Sequence, residues 1–139
     1  MSRFWHYSGY FRRNLPKTLE VLAVDFPTDV TRALDLALEL KAHELVVLDL
    51  RGISTATDFF VLVSGTSDVQ VRAIAEHVVD ELKVEGVRPG HIEGIRGGRW
   101  VLLDYIDFVV HVLHPEARIF YQLEDLWGDA PRWDVSNES

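Results

Sequence analysis

The six residues Phe108-Val109-Val110-His111-Val112-Leu113 are apolar at all but one position, and three of them are β-branched. A run so short and so continuous reads as a strand covered on both faces, not as an amphipathic helix. A strand of that kind lies centrally in a sheet and needs packed layers above and below it. The segment Asp107–His114 therefore predicts a layered domain with helices against a sheet.

The flanking segments supply those layers. Thr28-Asp29 offers a helix cap, and Val30, Ala33, Leu34, Ala37 and Leu38 recur at helical spacing until Lys41-Ala42-His43 ends the pattern. Residues 44–50 and 58–63 read as two further buried strands separated at Arg51-Gly52. Ser64-Gly65-Thr66-Ser67-Asp68 is a turn opening a second helix, in which Val71, Ile74, Ala75, Val78 and Leu82 form one stripe and Gly86 is the stop. From Gly90 the period becomes two. Residues 91–95 are a weak strand, Gly97-Gly98 supplies a tight hairpin, and residues 99–105 form the strand that leads into the central one. Pro115 starts a closing helix, Glu116 to Trp127, whose apolar stripe is Ile119, Phe120, Leu123 and Leu126/Trp127. The order α-β-β-α-β-β-β-α predicts an α/β (α+β layered) fold: a mixed five-stranded sheet with flanking helices.

The 139 residues fit one domain, expected over 27–128. Residues 1–26, aromatic, basic and interrupted by Pro16, read as an extension with no fixed place in the core, and residues 129–139 as a flexible tail. Met1 is the only methionine, so an alternative start would use a valine codon such as Val21 or Val24. Arg12-Arg13 is not followed by an apolar stretch long enough for an export signal, and no run approaches the roughly 18 residues of a membrane span. A cytoplasmic protein without a membrane partner is the expectation. With no cysteine, a disulfide framework, a thiolate metal site and a cysteine nucleophile are all excluded.

Charge is unevenly placed. Residues 1–26 carry +2, while residues 27–139 hold ten basic and twenty acidic side chains, a balance of −10. A domain this acidic is repelled by phosphate backbones, so little direct RNA contact is expected, and a basic protein surface is the complementary partner. Negative charge also serves simple solubility.

Candidate chemistry is sparse. Gly65-Thr66-Ser67 at a helix start could cradle an anion, but no phosphate-loop motif is present and Asp68 would repel phosphate, so a capped helix is the better reading. Asp58, Asp104 and Asp107 could hold a hard metal. Asp104 and Asp107 are three apart across a turn, however, and turn formation by their side chains is favoured. His111 and His114 lack a spaced zinc companion, and Ser54, Ser64 and Ser67 lack a nucleophile-elbow context. No catalytic residue, metal or cofactor is assigned. Trp100 is the most informative side chain. It leads an alternating strand on which Leu102 and Asp104 share its face, with Arg96 and Arg99 nearby, and it reads equally as a core aromatic or as an exposed anchor for a partner.

Longer stretches carry a resemblance. LVVLDLRG (45–52), DFFVLVSGTSDVQVRAIAEHV (58–78), the Glu93-Gly94 pair and GRWVLLDYIDFVVHVLHPEARIFYQLEDLW (98–127) together closely resemble the ribosomal silencing factor (RsfS, Iojap-like) family, in order across residues 28–128. The combination is specific: Gly65-Thr66-Ser67 after Asp58; Trp100, Leu102, Asp104, Tyr105, Asp107 and His111 on a strand pair; Arg118, Tyr121, Leu123, Glu124, Leu126 and Trp127 on the last helix. Residues 1–26 match nothing associated with the family.

The resemblance implies a nucleotidyltransferase-like fold without its catalytic pattern, and a binding protein in place of an enzyme. It implies binding to ribosomal protein L-fourteen of the large subunit, which blocks association with the small subunit and represses translation under nutrient limitation. The partner-binding residues it points to are Trp100, Leu102, Asp104, Arg99, Arg96, Glu93 and Asp107. The rival is a metal-dependent nucleotidyltransferase-like or nucleotide-binding enzyme using Ser67, Asp58, Asp104 and Asp107. Exposed apolar positions could equally serve a homodimer.

Overall fold

A computed structural model describes residues 4–7 and 26–138, with side chains described over 26–135. Its elements are β1 (Phe4–Tyr7), α1 (Thr28–Glu39), β2 (His43–Asp49), β3 (Phe59–Ser64), α2 (Asp68–Val84), β4 (His91–Glu93), β5 (Trp100–Asp104), β6 (Phe108–Leu113), α3 (Pro115–Tyr121), α4 (Leu123–Leu126) and β7 (Arg132–Glu138). The strands form one mixed sheet in the order β1-β7-β2-β3-β6-β5-β4. Among the described strands only β3 and β6 run parallel; the other neighbours are antiparallel.

The apolar run that anchors the sequence reading is β6, and all six of its residues are buried. Its two neighbours and two faces remove both edges and both sides from water, so every apolar side chain finds a layer. One face carries Val47, Val61, Val63, Val101, Leu103, Val110 and Val112 against α1 and α2. The opposite face carries Val46, Leu48, Leu62 and Leu113 against Ala117, Leu123 and Ala130, with Phe60, Trp100 and Trp127 at its border.

Helix α2 forms where its caps dictate. The Ser67 hydroxyl accepts from the Gln70 N–H at 3.1 Å. At the other end Gly86, with φ of +87°, lets its own N–H reach the Lys83 carbonyl and the Val87 N–H reach that of Leu82. Helix α1 departs from expectation: Pro27, not Thr28 or Asp29, occupies the cap, and its carbonyl accepts from Val30 and Thr31. The two helices are tied by Arg32 to Glu85 at 2.7 Å and by His77 to Glu39 at 2.8 Å.

Four expectations are corrected. The sheet has seven strands among the described residues, not five. The segment 129–139, expected as a tail, contains β7, inserted between β1 and β2 with Trp133 and Val135 in the core. Within the segment 1–26, Phe4–Tyr7 is strand β1, and Phe26 packs edge-on against Phe59 and Trp133; residues 8–25 lie outside the described residues. The closing helix is not continuous, because Gln122 takes a left-handed φ of 43° and splits it into α3 and α4. No helix among the described residues is long and apolar enough to cross a membrane.

Candidate functional site

Strand β5 alternates between faces. Val101 and Leu103 are buried toward α2, while Trp100, Leu102 and Asp104 stand half-buried on the other side. Registry with the neighbours turns this face into a small grid. Glu93, Leu102, His111 and Leu62 form one row across β4, β5, β6 and β3; His91, Asp104, Val109 and Phe60 form the next. Among the described residues only the three-residue β4 lies outside β5, so this grid sits toward one end of the described sheet.

The turn into β5 is set by two glycines. Gly94 has φ of +86°, and a Cβ there would stand 2.0 Å from the Trp100 carbonyl oxygen. Gly98, with φ of +69°, bonds its N–H to the Gly94 carbonyl. The positive dihedrals thus fall at Gly94 and Gly98, a correction to the expected Gly97-Gly98 pair. The wider loop is needed because its middle, at Arg96, reaches over to α2: the Arg96 carbonyl accepts from Arg72.

Trp100 is neither of the two extremes expected for it. Its indole N–H donates to His111 Nδ1 at 3.0 Å, and its ring lies 4.6 Å from that of Tyr121. Tyr121 in turn meets Phe120 edge-on at 4.9 Å. An aromatic series therefore runs from the sheet onto α3 and ends in solvent, where Phe120 is 78% and Ile119 71% exposed. The sequence stripe placed Ile119, Phe120 and Leu126 inward. With the break at Gln122, Ala117 and Arg118 are buried in their place, while Leu123 is buried as the stripe expected and Trp127 packs at the cluster's border.

Helix α3 is held over this site by a buried cation. Arg118 donates to the Ser64 hydroxyl at 2.8 Å and to Glu124 at 2.9 Å. Ser64 shares a row with Leu113 and Trp100, so the pair pins α3 beside the indole. Proline at the first helical position and the His114 Nδ1, which accepts from the Glu116 N–H, start the helix there.

The other predicted residues divide. Glu93 is exposed in the Leu102 row, paired with His91 at 2.7 Å. Asp104 accepts from the Ile106 N–H, and exposed Asp107 lies in the same β5–β6 turn. Arg99 is exposed and bonds Glu116 at 2.9 Å; that hydrogen bond and its charge hold the Glu116 carboxyl below its usual range. Arg96 is exposed in the hairpin and is not part of the grid. Thus Trp100, Leu102, Asp104 and Glu93 come together, Arg99 and Asp107 border them, and Arg96 stands apart. The sequence reading missed Tyr121 and Phe120 as surface aromatics and His111 as the partner of Trp100.

The residues weighed for a metal or a nucleotide have other contacts here. Asp104 Oδ1 accepts from the Ile106 N–H in its turn, Ser67 caps α2, and Asp58 contributes backbone atoms to pairing with Leu50 and Asp107. Among the described residues no three His, Asp or Glu side chains are grouped to hold a metal.

Fold and site together define a layered α/β domain that displays an aromatic patch with an acidic border. Residues 24–139 match the family described as ribosomal silencing factor during starvation. The ribosomal silencing factor RsfS of Bacillus subtilis is 44% identical over 95 residues, covering 68% of this chain and 80% of that protein. The RsfS of Halalkalibacterium halodurans is 45% identical over 91 residues, 66% of this chain and 78% of that one. The chloroplastic protein Iojap of Zea mays is 35% identical over 96 residues, 68% of this chain and 41% of the plant protein. A crystal structure of a Chromobacterium violaceum protein superposes with a TM-score of 0.70 at 32% identity, covering 75% of this chain and 88% of that one. This chain belongs to the ribosomal silencing factor family, RsfS/Iojap.

Proposed function

We propose that this protein binds the large ribosomal subunit through ribosomal protein L-fourteen, and that its bulk at that point blocks joining of the small subunit and represses translation under nutrient limitation. The observation that carries the reading is the half-buried Trp100, which meets Tyr121 and, through Tyr121, Phe120, with Leu102 next to it on the same strand face. Trp and Tyr at the centre of a patch, with apolar neighbours that exclude water, are the side chains that dominate protein–protein affinity. Glu93 and Asp107 lie exposed at its border, which suits a basic protein surface and disfavours bare RNA.

No catalysis is required of such a factor. It acts by occupancy, in the cytoplasm, and a free concentration of about 100 times Kd weakens joining by about 2.7 kcal/mol, near a hundredfold. The full names of the bacterial relatives, ribosomal silencing factors, support the same reading. Sucrose-gradient sedimentation with purified subunits tests it: the protein should travel with the large subunit and not the small one. Migration at the top of the gradient, with neither subunit, would overturn the proposal.

A further inference from the structure

We infer that His111 is the positioning residue of the Trp100 anchor: its Nδ1, by accepting the indole N–H, fixes the ring orientation in which Trp100 and Tyr121 meet a protein partner. This rests on the partner-binding reading above and identifies the group that orients its central side chain.

The geometry is diagonal. Trp100 stands opposite Leu113 in the β5–β6 ladder, yet its N–H reaches His111, which stands opposite Leu102. The indole therefore leans one row along the sheet. A half-exposed side chain on a strand next to the sheet edge has several staggered wells open to it, and packing from one side alone does not choose among them. The hydrogen bond chooses. It also turns the ring's only polar atom inward, which leaves an apolar edge for the partner and Tyr121.

His111 can do this because it is itself immobile. It is 3% exposed, and Phe60 packs against its ring at 4.5 Å; Phe60 is held in turn by Trp127 at 5.8 Å. An accepting Nδ1 requires a neutral ring with its proton on Nε2. Burial, helped by the nearby charge of Arg118, pushes His111 down to about 4, so the acceptor is present at neutral pH. Packing alone gives no reason for a histidine here. Every other residue of β6 is apolar, and the His111 Nε2 is buried with no hydrogen-bond partner among the described residues. A leucine would satisfy the strand without that defect, so the Nδ1 acceptor is what the imidazole adds. An anchor held in its bound orientation before encounter loses less freedom on binding.

The test compares variants for binding to purified large ribosomal subunits. His111→Leu should weaken binding about fivefold to tenfold, the worth of one orienting hydrogen bond. His111→Asn places Oδ1 near the position of Nδ1 and should return affinity to within about threefold of the parent. Replacing the Trp100 indole by its benzothiophene isostere, which keeps the ring and drops the N–H, should weaken binding as His111→Leu does, and this arm stands if the leucine variant fails to fold. In the unaltered protein, a scalar coupling between Trp100 Nε1 and His111 Nδ1 should be visible by nuclear magnetic resonance. The inference is overturned if the coupling is absent, if the isostere binds as tightly as the parent, or if the asparagine variant is as weak as the leucine one. Trp100→Ala separates the two claims. Normal binding by that variant removes the anchor itself, whereas lost binding beside an unaffected isostere removes only the role of His111.

Discussion

Truncating Trp100 to alanine should cost both stability and binding, in amounts the structure sets apart. A fully buried tryptophan reduced to alanine costs about 3–5 kcal/mol. Trp100 is half-buried at the border of the smaller apolar cluster, so close to half of that range applies. Loss of the bond to His111 leaves a buried acceptor unpaired and adds about 1 kcal/mol. The sum is about 2.5–3.5 kcal/mol, more than a purely exposed anchor would give and at the low end of what a core residue would. Domains of this size are stable by about 5–15 kcal/mol, so the variant stays folded. Binding to large subunits should fall by about 2 kcal/mol or more, near thirtyfold. Urea denaturation followed by circular dichroism gives the first number, and sedimentation or surface binding of the folded variant gives the second. A folded variant that binds within twofold of the parent would refute the assignment of the anchor. A stability loss above about 4 kcal/mol would refute the half-buried placement.

Other perturbations follow from the same contacts. Glu124→Gln leaves the buried Arg118 charge without its counter-ion and should destabilise by about 3–5 kcal/mol in chemical denaturation, with α3 released from the sheet. A loss under 1 kcal/mol would mean that Arg118 is solvated. His111 protonates near 6.5 in the unfolded chain and near 4 in the folded one, so the unfolded state binds more protons between those values. Stability should therefore fall as pH drops through that window, by up to about 3 kcal/mol relative to His111→Asn; parallel pH profiles of the two would contradict it. The on-rate to large subunits should fall as salt rises, while the off-rate changes less, because exposed Glu93 and Asp107 act at long range. A flat on-rate leaves only the apolar contact. A chain beginning at Phe26 should keep its binding, since β1 and β7 lie at the opposite end of the sheet from β5, and loss of binding would tie the two ends together.

Much of this fold was legible from local pattern. The continuous apolar run of β6, the capped stripe of α2 and the period-two residues of β5 each carry their own signal, and each element forms where that signal lies. The parts that escaped are set by distant partners. Residues 132–138 alternate only across Trp133 and Val135 and hold mostly polar side chains otherwise, so the strand exists because β2 offers an edge some 85 residues earlier, as in the pair Leu48 and Arg132. Strand β1 depends on β7 in the same way. At the site, alternation was enough to group Trp100, Leu102 and Asp104. The Tyr121 contact was not, because a single left-handed residue at Gln122 re-phases the last helix. The His111 bond crosses the ladder diagonally, and no spacing in the sequence encodes a diagonal.

The most direct test of the central claim is the fraction of joined ribosomes in an equilibrium mixture of large and small subunits as this protein is added. At about 100 times its Kd for the large subunit, joining should weaken by near a hundredfold, whereas the same concentration of Trp100→Ala, about thirtyfold weaker in binding, should weaken it only about fourfold. An unchanged joined fraction, with the protein demonstrably bound to the large subunits, would contradict the account.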